Sequence, residues 1–361
     1  DKIGSRRERM PRSRFDISVP RRDARASGAG VVILLVLSTI SAGAQPASPE
    51  PAPPAPERIV VSFEQRTRVE AFTHPFRLDE AGPTRVVAVR TRLQVALPKI
   101  AGPFGAFVEL QDSRSGWNDE PFVAPARHVN HLDFTQAHLR VASKGLLGSQ
   151  VEGAVLLGRY SLDIGRRRLS ARNGMRNTTN AFDGAYGWLT GRDGSSLRVF
   201  VSRPVRLEPE ALDRSSGDRL FWGGWLTVRR WRLLETEVYA LRLDESGDTV
   251  TRRRLTTLGG RLFKAVRPGE LDYETDLAWQ RGTVRGLDHR GFFAHLEAGF
   301  SFRPARARLG VLYDHVSGDP DPQDHRSERF DTLFGARRFE YAPTGIYGPC
   351  LLYTSDAADE D

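Results

Sequence analysis

From Arg58 onward the chain alternates, residue by residue, between apolar and polar side chains. Val87, Val89, Thr91, Leu93, Val95 and Leu97 fall on one side of a run, and Ala88, Arg90, Arg92 and Gln94 on the other. Leu271, Tyr273, Thr275, Leu277 and Trp279 oppose Asp272, Glu274, Asp276 and Gln280. Ala305, Ala307, Leu309, Val311 and Tyr313 oppose Arg306, Arg308 and Asp314. Successive side chains of a strand point to opposite faces, so a period of two marks strands with one apolar and one polar face. No comparable helical stripe appears, and the chain reads as all-β. Strands are expected at 58–72, 85–97, 104–114, 133–143, 151–164, 180–191, 195–205, 219–230, 232–244, 253–265, 271–284, 291–302 and 305–317.

The connections alternate as well. Those at 73–84, 115–132, 165–179, 206–218, 245–252 and 285–290 are long. Those at 98–103, 144–150, 192–194, 231, 266–270 and 303–304 are short, and carry turn chemistry such as Arg192-Asp193-Gly194 and Arg267-Pro268-Gly269. A soluble β-sandwich has no reason to do this. A transmembrane antiparallel up-and-down β-barrel does, with short periplasmic turns and long outer loops. Apolar residues make up 39% of the chain, too few for a bundle of membrane helices but compatible with a barrel, where only alternate residues meet lipid. Phe104, Phe221, Trp222, Trp231, Phe292, Phe293, Phe302 and Tyr313 sit near strand ends, where interfacial girdles would place them.

Lipid does not accept a charged face, so that face is expected inward, carrying Arg68, Arg90, Arg92, Glu109, Gln111, Arg140, Glu152, Arg198, Glu235, Glu237, Asp276, Arg306 and Arg308. Opposite charges facing each other would brace the wall, and arginines without partners would form an anion path. The densest basic patch runs from Gly158-Arg159 through Arg166-Arg167-Arg168 to Arg172, Arg176, Asn177 and Asp183. A long loop folded back into the barrel would bring this patch to a constriction. The alternative is a solvated basic loop against lipopolysaccharide phosphates. The net charge is +8, and apart from Lys2, Lys99, Lys144 and Lys264 every basic side chain other than histidine is arginine, which points to an acidic partner. Asp319, Asp321 and Asp324 could offer oxygens to Ca²⁺, but their spacing is not that of an EF-hand, and a polar turn without metal is the expectation. The histidines are scattered with no Ser-His constellation, so neither an enzyme nor a cofactor is expected.

The N-terminal region reads as an address. Arg12, Arg14, Arg21, Arg22 and Arg25 precede an apolar core at 28–40, and Ala42-Gly43-Ala44 forms a cleavage site before Gln45. Residues 1–44 are thus expected to be a signal peptide with a possible upstream extension, 45–57 a Pro-rich periplasmic linker, and 58–349 the barrel. Residues 350–361, with the lone Cys350, break the pattern and are expected to be a non-native tail. Export across the inner membrane leaves no role for nucleic acid.

Several stretches, in order, resemble the alginate-export family of outer-membrane barrels. They are Phe107-Val108-Glu109-Leu110-Gln111-Asp112-Ser113-Arg114, Gln136-Ala137-His138, and Gly158-Arg159 through Arg167 and Leu169 to Arg176-Asn177-Thr178 and Phe182-Asp183-Gly184. Leu258-Gly259-Gly260-Arg261-Leu262, Tyr273-Glu274 with Gln280-Arg281-Gly282, and Ser317-Gly318-Asp319-Pro320 with Phe330-Asp331-Thr332-Leu333-Phe334 complete the match. The resemblance implies a barrel of about eighteen strands, of which about thirteen are present, so a C-terminal truncation is expected. It further implies a Gram-negative outer-membrane channel for passive export of an anionic, alginate-like polysaccharide through an Arg-rich pore. A general or small-anion-selective porin is the alternative. Expected partners are the polymer, outer-membrane lipid and lipopolysaccharide, and periplasmic export proteins. Candidate path residues are Arg90, Arg92, Arg159, Arg166, Arg167, Arg176, Asp183, Arg306 and Arg308. Tyr160 departs from the family's usual Gln after Gly-Arg, which leaves the identity of the polymer open.

Overall fold

The computed structural model describes residues 33–39, 58–72, 84–116, 129–145, 151–174, 176–231, 234–247, 252–303, 307–321 and 323–336. The strands are β1 (Ile33–Thr39), β2 (Val60–Phe72), β3 (Thr84–Ala101), β4 (Phe104–Gly116), β5 (Asn130–Lys144), β6 (Glu152–Tyr160), β7 (Phe182–Thr190) and β8 (Ser196–Arg206). They continue with β9 (Arg214–Ser215), β10 (Arg219–Trp231), β11 (Leu234–Glu245), β12 (Arg253–Lys264), β13 (Leu271–Val284), β14 (Leu287–Phe302), β15 (Ala307–Val316) and β16 (Arg326–Ser327). From β2 to β15 each long strand pairs antiparallel with the next, β8 passing directly to β10, in one open sheet ending at β2 and β1. The two-residue strands β9 and β16 pair with β8 and β14.

The alternation read from the sequence becomes a division between two surfaces. Along β8, Leu197, Val199 and Val201 are exposed, whereas Ser196, Arg198, Phe200 and Ser202 are buried. The same inversion holds at Leu258, Leu262, Trp279, Leu309 and Val311, exposed on strands whose buried residues include Arg261, Asp272, Glu274 and Asp276. An outward apolar face with an inward charged one suits a wall whose exterior solvent is lipid. Register orders the inward charges: Glu237 stands opposite Arg261, Arg261 opposite Asp276, Asp276 opposite His295, and His295 opposite Asp314. Cross-strand neighbours of opposite sign brace such a sheet.

Three expectations need correction. The connection after β13 is not long: Val284 pairs with Leu287, and the whole turn is Arg285 and Gly286, at φ 54° and 86°. Two successive left-handed residues fit a type I′ hairpin, so β14 begins earlier than its apolar run. The strand expected to reach 164 ends at Tyr160, where Gln136 Oε1 accepts the Ser161 N–H and the chain turns into the lumen. Phe221 and Phe293 do not join an interfacial girdle; they are buried with Tyr160, Phe182, Phe200 and Phe330 in an internal apolar cluster. Among the described residues the exposed aromatics are Phe63, Phe104, Phe134, Trp222, Trp279, Phe300 and Phe302.

Ile33–Thr39, part of the expected signal-peptide core, is extended and pairs antiparallel with β15, Leu35 opposite Val311. An apolar β-branched run matches the outward row of an edge strand as well as it matches a leader. The expected cleavage site, the Pro-rich linker and the 350–361 tail lie outside the described residues.

Candidate transport path

The chain between β6 and β7 folds inward. Gly165, Arg166 and Arg167 take φ of 59°, 49° and 68°, a left-handed run in which two arginines adopt a conformation that favours glycine. The run reverses the chain, so that Ile164 bridges Ser170 and the Ile164 N–H donates to Ser170 O at 3.0 Å. From this reversal the loop reaches both halves of the sheet. Towards β2, β3 and β4, Gly174 O accepts from Arg66 and Arg90, both at 2.8 Å. Ser113 Oγ donates to Asn177 O at 2.8 Å, and Asn177 Nδ2 donates to Val89 O at 3.1 Å. Arg172 pairs with Glu109 of β4. Towards β13, Arg168 Nη1 pairs with Glu274 at 2.8 Å and with Asp276 at 3.0 Å, and Arg166 also pairs with Glu274. One loop touching strands so far apart in the sheet requires the sheet to curl around it.

A second segment, 328–336, packs against the first. Phe334 N–H donates to Leu169 O at 3.1 Å, and Ala171 N–H to Phe334 O at 3.0 Å. Asp331 is held by Arg253 Nη1 at 2.9 Å, and its backbone exchanges two hydrogen bonds of 2.7 Å with the Gln280 side chain. Phe330 and Leu333 join Leu162, Ile164 and Leu169 in the internal apolar cluster. The two segments together form an inward plug seated on β12–β14.

Burial pushes the Asp331 carboxyl up, but the Arg253 guanidinium and the Leu333 N–H outweigh it and hold the group below its ordinary range. In the connection before β9, burial and then the nearby Asp133 carboxylate push Asp213 up, against hydrogen bonds from Glu208 N–H and Asn130. Arg168 loses hydration on burial, yet Glu274 and Asp276 keep it firmly protonated.

The candidate residues fall into clear places. Arg90 is buried and pairs with Glu64 at 2.7 Å; Arg92 donates to Gln111 at 2.6 Å and lies 3.4 Å from Glu64. Arg159 grips Asp183 at the base of the plug. Arg308 bridges Asp272 and Glu297, the latter at 2.8 Å. Arg166 is partly accessible and Arg176 exposed, while Arg167 holds the turn through its carbonyl, which accepts from Ala336 N–H at 2.7 Å. Arg306 lies outside the described residues. The plug brings Arg90 and Arg176 together, Arg90 Nη1 donating to Arg176 O at 3.0 Å, whereas Arg166 reaches Glu274 on the β13 side; Arg159 and Asp183 lie at its foot, and Arg308 belongs to the β13–β15 wall. Asp321 and Asp324 accept from Gln323 N–H and Arg326 N–H at 3.1 and 2.7 Å, and no metal-holding cluster of three acidic, His or Cys groups occurs among the described residues.

Sequence reasoning missed Glu64 and Asp133 among the acids that answer these arginines, and placed Glu274 on a polar face without its arginine partners. It also missed the inward aromatics. Trp188 and Trp225 occupy inward positions of β7 and β10, with Arg198 of β8 opposite both in register. The parity of the apolar outward row, Leu197-Val199-Val201, was the available signal.

An all-β, antiparallel, up-and-down sheet with an apolar exterior and an inward charged lumen defines an outer-membrane β-barrel of the channel type. The alginate export family matches residues 58–348, and the chain belongs to that family, whose members are polysaccharide-transport channels. A search of curated proteins returned no match.

Proposed function

We propose that the chain is a channel for passive export of an anionic polysaccharide, a polyuronate of the alginate kind, and that the plug at 161–181 is the constriction the polymer passes. The observation that carries this reading is the inward loop itself. It gathers Arg166, Arg168, Arg172 and Arg176 into the lumen, with Arg166 and Arg172 only partly covered. Partly hydrated guanidiniums can exchange one carboxylate for another at a cost of about 1 kcal/mol per contact, so a polyuronate can advance without being trapped. Passage needs no catalytic step and no cofactor. We further propose a cleaved N-terminal signal, an outer-membrane location in contact with lipopolysaccharide, and periplasmic export proteins that deliver the polymer.

The test is the reversal potential of the full-length protein in planar bilayers under a salt gradient. Replacing Arg159, Arg166 and Arg176 together by Ala is expected to weaken anion selectivity and lower polymer export. Unchanged selectivity in a folded triple variant would favour the second reading, a general or small-anion porin. That reading draws support from the ion pairs that already occupy Arg90, Arg92, Arg159 and Arg308.

A further inference from the structure

Two kinds of surroundings occur among the arginines on the inward faces of the strands and plug. Arg90, Arg92, Arg159, Arg166, Arg168, Arg172, Arg261 and Arg308 each meet a carboxylate. Arg140 and Arg198 do not: among the described residues neither has an acid at ion-pair distance. Each lies against an indole instead. The Arg140 guanidinium carbon is 5.9 Å from the Trp188 ring centre, and that of Arg198 is 5.7 Å from Trp225. Tyr186 joins them, 5.4 Å from Trp188 and stacked at 17° on Trp225 at 6.0 Å. Arg140, Tyr186 and Trp188 keep part of their surface open, whereas Trp225 and Arg198 are buried behind them.

We infer that Arg140, Tyr186 and Trp188, backed by Arg198 and Trp225, form a binding surface for a uronate ring of the cargo, separate from the constriction. The inference rests on the export reading above. The surface lies on the lumen side of β5, β7 and β8, towards Gly145, Val151 and the turn at 191–195, so membrane lipid does not reach it. A pyranose has a flat face of C–H groups that covers an aromatic ring, and aromatic stacking supplies contact at low entropic cost. A uronate adds a carboxylate at the ring's edge, for which a guanidinium beside the aromatic is the matching fork. Over its indole the Arg140 guanidinium has no protein acid at ion-pair distance among the described residues to compete with the sugar's carboxylate. Neutral sugar would use the ring alone; a small anion would use the guanidinium alone. A uronate polymer uses both.

The experiment is single-channel recording of the full-length protein with oligouronates and with neutral oligosaccharides of equal length. Wild type is expected to show blockades that last longer for the oligouronate. Trp188→Ala should shorten both kinds of blockade, by about two- to tenfold for each. Arg140→Gln should shorten only the oligouronate blockade, erasing the difference between the ligands. Trp188→Phe keeps a ring and is expected to restore most of the dwell time, which separates contact from folding; heat-modifiable mobility in gels checks the fold of each variant. Unchanged dwell times in Trp188→Ala and Arg140→Gln, with wild-type blockades present, would overturn this inference and leave the export reading standing. No blockade of wild type by any oligouronate would overturn both.

Discussion

Arg159 and Asp183 stand opposite each other in the β6–β7 register, and the guanidinium holds the carboxylate through Nε at 2.8 Å and Nη2 at 3.0 Å. The same side chain donates to Phe134 O at 3.0 Å and to Asp213 O at 3.1 Å, tying β5, β7 and the connection before β9 to the strand that launches the plug. Arg159→Ala therefore strands a partly buried acid as well as removing a cation. It is expected to cost about 1–3 kcal/mol of stability. Arg159→Ala with Asp183→Ala should cost less than the sum of the single changes, because neither residue is then left without its partner. Denaturant midpoints in detergent measure both.

The Arg168 contacts to Glu274 and Asp276 fasten the plug to β13. If the plug is the constriction, loosening it opens the path. Glu274→Gln with Asp276→Asn should raise single-channel conductance, and deletion of 165–176 should raise it further. Lower conductance in either variant would show that the limiting passage lies elsewhere.

The Arg253–Asp331 pair gives the second segment a pH dependence. The folded Asp331 pKa lies below its unfolded value of about 3.9. The pair's contribution is thus complete above that unfolded value and is lost as pH falls through the lower folded one. Stability should be flat in this respect from neutrality to about pH 5 and fall below about pH 4. Asp331→Asn should flatten that acid limb while lowering stability at neutral pH. Thermal midpoints of both proteins across this range give the comparison.

Cleavage after Ala44 would remove β1 and free the β15 edge it covers. Mature protein recovered from outer membranes is expected to begin at Gln45. An intact mass that retains Ile33–Thr39 would make β1 a wall strand instead of a leader.

The thirteen long strands from β2 to β15 were legible because lipid outside and water inside force a period of two on every one of them. Ends were less legible. Arg285-Gly286 lacks the Asn-Gly signature of a tight hairpin, so the apolar run beginning at Gly291 misplaced the start of β14. The charge row on β11–β15 was half legible: alternation assigns Glu237 and Asp276 to the lumen, but only register reveals that both face Arg261. The basic loop was visible as a cluster, and its inward course was one of two open readings. Its acid partners, Glu109 and Glu274, lie 63 and 108 residues from Arg172 and Arg166, beyond anything that local spacing encodes. The Trp188–Arg198–Trp225 row escaped for the same reason, since three unremarkable positions on three strands become one surface only when the strands are paired.

Those separations bear on how the molecule is assembled. Neighbouring strands zip through contacts close in sequence, whereas the plug's bonds close loops of 106 residues to Glu274 and 154 residues to Phe334. Loop closure of that size costs entropy before any contact repays it. The hairpins of β2–β8 and β10–β15 can therefore form with the lumen still empty. The 161–181 loop can complete its contacts only once β13 and the segment beyond β15 have arrived, so full seating of the plug follows the pairing of those strands.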